Sequence, residues 1–289
     1  MKIPWEKVMI QTSRGTFEVF VKGSGNPVCV THHYSEFNET GDHFAESFVD
    51  DNKVFLVNLR EAGNSSKAQK PYQLSMIEAV FDLEEIRKAL GYTSWTFAGH
   101  STGGMIGLLY GIHYSSSLES LIIVGSAARE YTSSSDCIYN EKHPDFHRMR
   151  ELIELLKLSD LSPSDRKEIS KERTKLSLYN PDKYDDYFSA HVHKKMATSR
   201  MDFFAREALT FDLTRQLPRI STKTLLLCGE FDVQCSLPFS IEMNELIPNS
   251  DLHIFELSNH YPFLEEQPLF KQVVKNFLVD SNEKMNRRK

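Results

Sequence analysis

The stretch Trp95-Thr-Phe-Ala-Gly-His-Ser-Thr-Gly-Gly-Met-Ile-Gly-Leu-Leu-Tyr110 constrains this chain more than any other. It runs from a short apolar segment through a single serine into a glycine-spaced helical pattern. Gly99-His-Ser-Thr-Gly103 fits G-x-S-x-G, in which a strand turns sharply into a helix and exposes a nucleophilic serine. The glycines are steric requirements, because so tight a turn leaves no room for side chains two positions either side of the serine. A glycine-rich loop before a helix would look the same locally, so the reading depends on what surrounds it.

The surroundings alternate. Lys7–Thr12 and Thr16–Val21 read as a hairpin about Ser13-Arg14-Gly15, and Val28–Val30 and Lys53–Leu59 as buried strands. A helix-like piece around His43–Val49 lies between those strands. Ser75-Met-Ile-Glu78 is a capping-box pattern opening an amphipathic helix that Gly91 ends. The strand before Ser101, a helix over Thr102–Tyr114 and the apolar run Leu121–Val124 follow. Strands alternating with helices predict a mostly parallel sheet covered on both faces. The rhythm stops at Gly125-Ser-Ala-Ala. Residues 129–219 hold helical patterns instead: a helix that Asp145 caps, a charged stretch over 164–178, and a third over 196–209. Most aromatics of this insertion are expected in its own small core, with a few facing the site. Alternation resumes with Thr224–Cys228, a helix near Pro238–Leu246, Leu252–Phe255 and a last helix from Pro268 to about Val279.

A serine hydroxyl needs a histidine base, itself oriented by a carboxylate. The strand Leu225–Cys228 ends in a loop with Asp232, and Leu252–Phe255 leads to a loop with His260, giving the chain order Ser101, Asp232, His260. Glu230 is the alternative acid but lies closer to the strand end. Of the eleven histidines, His253 falls within a strand, and His113, His143, His147 and His191 lack a loop that would aim them at Ser101. Ala190-His-Val-His193 reads as surface rather than as a metal site. One oxyanion donor is expected from the Thr102 amide, and the other from the loop Thr31-His-His-Tyr-Ser35.

With these residues in hand, the chain resembles the α/β-hydrolase fold family, in its capped serine-hydrolase branch. The resemblance rests on the GHSTGG elbow, the GEFD acid loop and the SNH histidine loop. Asn58-Leu-Arg-Glu-Ala-Gly-Asn-Ser65 resembles that branch's D-x-R-G-x-G-x-S loop, with Asn58 in place of Asp and Glu61 in place of Gly. Residues 31–35 fall where the family has an H-G-x-P turn. His32 matches its histidine and Tyr34 supplies the second oxyanion amide, while His33 departs from the glycine and Ser35 from the proline. His32, His33 and His100 are therefore expected around the substrate. The resemblance implies an eight-stranded, mostly parallel sheet flanked by helices. It places a core at residues 1–127 and 216–289, and a helical cap at 128–215 inserted after the sixth strand.

Serine at the elbow implies acyl transfer, first of all hydrolysis of carboxylic esters, since family members that dehalogenate or open epoxides carry Asp there. The alternatives are a proline iminopeptidase-like aminopeptidase, with Glu130, Glu141 or Glu207 holding the substrate amine, and a carbon–carbon bond hydrolase. A hydrolase-like ligand-binding receptor is the non-enzymatic alternative. The formal charge of −6 disfavours nucleic acid or an anionic membrane as partner, and the basic end, Lys284 to Lys289, reads as a frayed tail. Four scattered cysteines make no disulfide framework, and Cys29 and Cys228 fall in apolar runs. The stretch MKIPWEKVMI lacks the apolar region of a signal peptide, so a cytoplasmic protein acting on a small molecule without cofactor or metal is the expectation. Monomer and homodimer both stay open.

Overall fold

A computed structural model of the chain describes residues 4–158, 160–189 and 192–286. The ten strands are β1 (Glu6–Thr12), β2 (Gly15–Lys22), β3 (Asn26–Val30), β4 (Ser35–Glu36), β5 (Asn52–Val57), β6 (Trp95–His100), β7 (Leu118–Val124), β8 (Lys195–Met196), β9 (Thr224–Gly229) and β10 (Ser250–Phe255) among these residues. Eight form one sheet in the order β1-β2-β5-β3-β6-β7-β9-β10. The predicted hairpin is present, with Thr12 opposite Gly15. From β5 to β10 every pairing is parallel. The molecule has the α/β-hydrolase fold.

Parallel strands buried on both faces require apolar side chains pointing both ways. Trp95 and Phe97 of β6 pack with α1 (Met76–Ala89), α2 (Thr102–Tyr114) and the helix Leu237–Leu246 on one side. Ala98 points to the other side, where Phe44 and Phe48 meet Phe263 and Phe270 of the C-terminal helices Pro262–Glu265 and Gln267–Asn286. The piece expected as a helix around His43–Val49 is a single 3₁₀ turn over Ala45–Phe48. The last helix continues past the expected Val279, so of the predicted frayed tail only residues 287–289 lie outside the described residues.

Several local predictions hold in altered form. Ser75 accepts from the Glu78 amide, but the Glu78 carboxylate pairs with Arg14, and the Met76 amide is capped from afar by Glu207 (3.0 Å). Asp145 precedes the helix α3 (Phe146–Leu156) without a side-chain cap bond. Asn58 shows why the resembling loop departs from Asp. Its Nδ2 donates to the buried carboxylate of Glu18 (2.8 Å), which an aspartate would repel. Glu61, in the place of a family glycine, keeps the left-handed backbone (φ 67).

Between β7 and β9 the α-helices are α3, α4 (Pro163–Lys175), α5 (Tyr184–Tyr187) and α6 (Thr198–Glu207), joined by turns and loops and interrupted by β8 among the described residues. This segment is stitched to the core beside β3. β8 pairs antiparallel with β4, and the Ala197 amide donates to the Tyr34 carbonyl (2.8 Å). His193 is exposed and its amide donates to Thr40 Oγ1 (2.8 Å), while its predicted companion His191 lies outside the described residues.

Candidate active site

Five neighbouring strands deliver the site. In the order β3, β6, β7, β9, β10 their C-terminal ends release the 31–35 loop, Ser101, Gly125, the Asp232 loop and the His260 loop. Parallel strands put all five on one edge, where such sheets bind ligands.

Ser101 occupies the N-cap of α2 with φ 56 and ψ −122, a conformation costly for a residue with a side chain. The motif glycines relieve the crowding. A Cβ on Gly99 would lie 2.2 Å from the Gly103 carbonyl oxygen, and one on Gly103 would lie 2.3 Å from the Thr31 oxygen. The Ser101 amide donates to the Val124 carbonyl (2.9 Å) and the Ser126 hydroxyl to the Ser101 carbonyl (2.9 Å), which over-determines the strained turn.

Asp232 and His260 are buried and meet: Nδ1 of His260 stands 2.9 Å from Oδ2 of Asp232. The other carboxylate oxygen accepts from the Gln234 (2.8 Å) and Cys235 (2.9 Å) amides, so its orientation is fixed. Glu230, the alternative acid, is exposed. Ser101 and His260 line one cavity of about 340 Å³. Gly125 was not singled out from sequence, yet the pair depends on it. A Cβ there would meet Asp232 Oδ2 at 2.9 Å and His260 Nδ1 at 3.2 Å. The only signal was its position, where the strand rhythm stops.

The Thr102 amide opens α2 and has no intrahelical partner by position. The 31–35 loop folds over it. His32 Nε2 lies 3.0 Å from Thr102 Oγ1, and its Nδ1 2.9 Å from Ser35 Oγ. Burial, reinforced by Lys194, pushes the His32 imidazole down to about 3, so it is neutral at pH 7. His100 Nε2 donates to the His260 carbonyl (2.8 Å), and burial also holds this ring well below the usual histidine range. His32, His100 and Tyr34 line the cavity.

His33 does not. It was expected to touch substrate, but its ring is fully buried and lies outside the cavity lining. Arg200 of α6 draws it inward, with Nη2 3.1 Å from His33 Nδ1 and Nε donating to the His33 carbonyl. Of the insertion's aromatics, Tyr139 and Phe188 face the cavity, whereas Tyr131 joins the main core.

The comparisons agree with this architecture. The family model described as "alpha/beta hydrolase fold" matches residues 20–267, and the chain belongs to that family. It is an enzyme of the hydrolase class. A solved α/β-fold family hydrolase from Bacillus anthracis str. Sterne is 40% identical with a TM-score of 0.92, covering 95% of this chain and all of that one. The esterase EaEST from Exiguobacterium antarcticum is 25% identical with a TM-score of 0.70, over 94% of this chain and 99% of its own. A proline iminopeptidase of Heyndrickxia coagulans is 24% identical over 92% of this chain and 95% of its length.

Proposed function

We propose that this chain is a serine hydrolase that cleaves carboxylic esters of small, partly apolar substrates through an acyl-enzyme. The observation carrying this reading is the shared cavity of Ser101 and His260, with Asp232 bonded behind the imidazole. Ser101 Oγ attacks the ester carbonyl carbon while His260 Nε2 takes the hydroxyl proton. Asp232 accepts from Nδ1–H, holding the ring and stabilising its positive charge. The amides of Tyr34 and Thr102 receive the oxyanion of the tetrahedral intermediate. Its collapse expels the alcohol, which leaves with the proton from His260. A water molecule, deprotonated by His260, then attacks the acyl-serine and releases the acid.

The helical segment 128–215 is the cap of this reading, and Tyr139, Arg173 and Phe188 of the cavity wall come from it. The aminopeptidase alternative needs a carboxylate for the substrate amine. Glu130 is occupied by Thr132 and Ser133, Glu207 by Met76, and no glutamate lines the cavity among the described residues. The test is hydrolysis of a short-chain p-nitrophenyl ester together with labelling by a fluorophosphonate. Ser101→Ala is expected to lose both, and retained turnover in that variant would refute the assignment. Absence of labelling in the parent chain would favour a binding protein.

A further inference from the structure

One part of the cavity wall, the part that helix α4 supplies, is polar. Helix α4 buries no residue of its own, yet Ser170, Arg173 and Thr174 line the cavity. Their spacing of three and four residues puts them on one helical face. That face has no apolar stripe; it presents a guanidinium between two hydroxyls.

Arg173 makes no hydrogen bond or ion pair with any described residue, and its buried Nε has no partner. The groups nearest it electrostatically are the phenols of Tyr139, Tyr261, Tyr34 and Tyr184. Burial pushes the Tyr34 hydroxyl up to about 12 and the Tyr139 hydroxyl higher still, so these phenols are neutral and give no counter-charge. Of the two lysines on the wall, Lys194 pairs with Asp42 at 3.1 Å, the one carboxylate lining the cavity among the described residues, and Lys195 is exposed to solvent. Arg173 is thus a permanently charged fork without an anion. Enclosing such a group costs free energy unless a partner arrives to satisfy it.

We propose that Arg173 is the recognition site for a carboxylate carried by the substrate, so that the preferred ester is a monoanion whose free carboxylate seats on α4 while its ester carbonyl faces Ser101. The proposal rests on the serine-hydrolase reading for the ester, but the carboxylate site stands on the unpaired guanidinium itself. A planar guanidinium takes a carboxylate through two parallel N–H donors, and Ser170 and Thr174 flank it on the same face.

The test compares matched esters on the full chain. One pair is p-nitrophenyl hemiglutarate and p-nitrophenyl pentanoate, which places the carboxylate on the acyl side. The other is 4-carboxyphenyl butyrate and phenyl butyrate, which places it on the alcohol side. The parent is expected to favour the anion in one pair, and that pair names the side. Arg173→Gln should lower the anion-to-neutral ratio of kcat/KM by about 30-fold, in keeping with the loss of a charged hydrogen-bonded pair. Arg173→Lys, which keeps the charge, should retain part of the preference. A parent without preference in either pair, or a ratio unmoved by Arg173→Gln, overturns the proposal. A second readout is independent of turnover: millimolar glutarate should raise the melting temperature of the parent and not of Arg173→Gln, and glutaramide should raise neither. Thermal protection by glutarate without ester turnover would sink the hydrolase reading and uphold the carboxylate site. Equal protection by glutarate and glutaramide would sink the site.

Discussion

Arg200 Nε donates to the carbonyl oxygen of His33, and that carbonyl belongs to the same peptide unit as the amide of Tyr34. A buried guanidinium from α6 therefore grips one end of the peptide whose other end is the proposed oxyanion donor. Its Nη1 reaches the Arg60 carbonyl at 3.3 Å and its Nη2 reaches the His33 ring, and no described carboxylate lies within ion-pair distance. Burial pushes this arginine down to about 10, which leaves it charged at neutral pH. The positive charge polarises the peptide and fixes its plane, so an amide of the core is aligned by a residue of the segment above it. Arg200→Gln is expected to lower kcat roughly 10-fold or more with a smaller change in KM, as loss of transition-state hydrogen bonding does. Equal loss in kcat and in thermal stability, with the rate restored at lower temperature, would reduce Arg200 to a structural strut.

Gly125→Ala should separate geometry from chemistry. The glycine has φ +50, and an added Cβ enters the space between Asp232 Oδ2 and His260 Nδ1. The left-handed backbone together with the contact should cost about 1–3 kcal/mol of stability. A displaced imidazole should cost at least ~10-fold in kcat, since misplacements near 1 Å are worth up to ~100-fold. A crystal structure with the Asp232–His260 bond intact and full activity would contradict this.

How much of this was legible depends on what each feature asks of the chain. Ser101, Asp232 and His260 each follow the end of an apolar run, so strand pattern plus one reactive side chain singles out all three. Gly125 follows such a run too, but a glycine carries no chemistry to flag. β4 and β8 are two residues each, Ser35-Glu36 against Lys195-Met196, too short to show a period. Arg173 and Arg200 lie in helical stretches of the insertion where no local pattern marks an inward face, and only tertiary packing turns them inward. His33 failed for the same reason, because the residue that withdraws it from the cavity is 167 positions away in the chain.

Three neutral histidines make the fold sensitive to acid. His32, His33 and His100 are all held below the usual histidine value chiefly by burial. In the unfolded chain each titrates near ~6.5. Below that pH the unfolded state binds protons that the folded state refuses, so stability falls as pH drops. For His32, with its folded value about 3, the loss at pH 5 relative to neutral is about 2 kcal/mol. Melting temperatures at pH 7 and pH 5 should therefore differ by several degrees. The difference should shrink in His100→Gln, which keeps an N–H donor without the titration. A melting temperature flat across this range would contradict the assignment of buried neutral rings.

The acid of the site can be assigned by a pair of substitutions two residues apart in the chain but far apart in burial. Asp232 is buried, bonded to His260 Nδ1 and clamped by two amides, whereas Glu230 is exposed in the same loop. Asp232→Asn keeps the volume and replaces an acceptor oxygen by a donor amide, or turns it away from the ring. Either way the imidazole loses the partner that fixes its tautomer and stabilises its positive charge. The expected loss in kcat is on the order of 10³–10⁴-fold, the size seen when this role is removed from a serine–histidine pair. Glu230→Gln touches neither the ring nor the cavity and should stay within about twofold, as exposed substitutions away from such features do. Comparable losses from both would mean that the loop rearranges during turnover and that Glu230 takes over the imidazole.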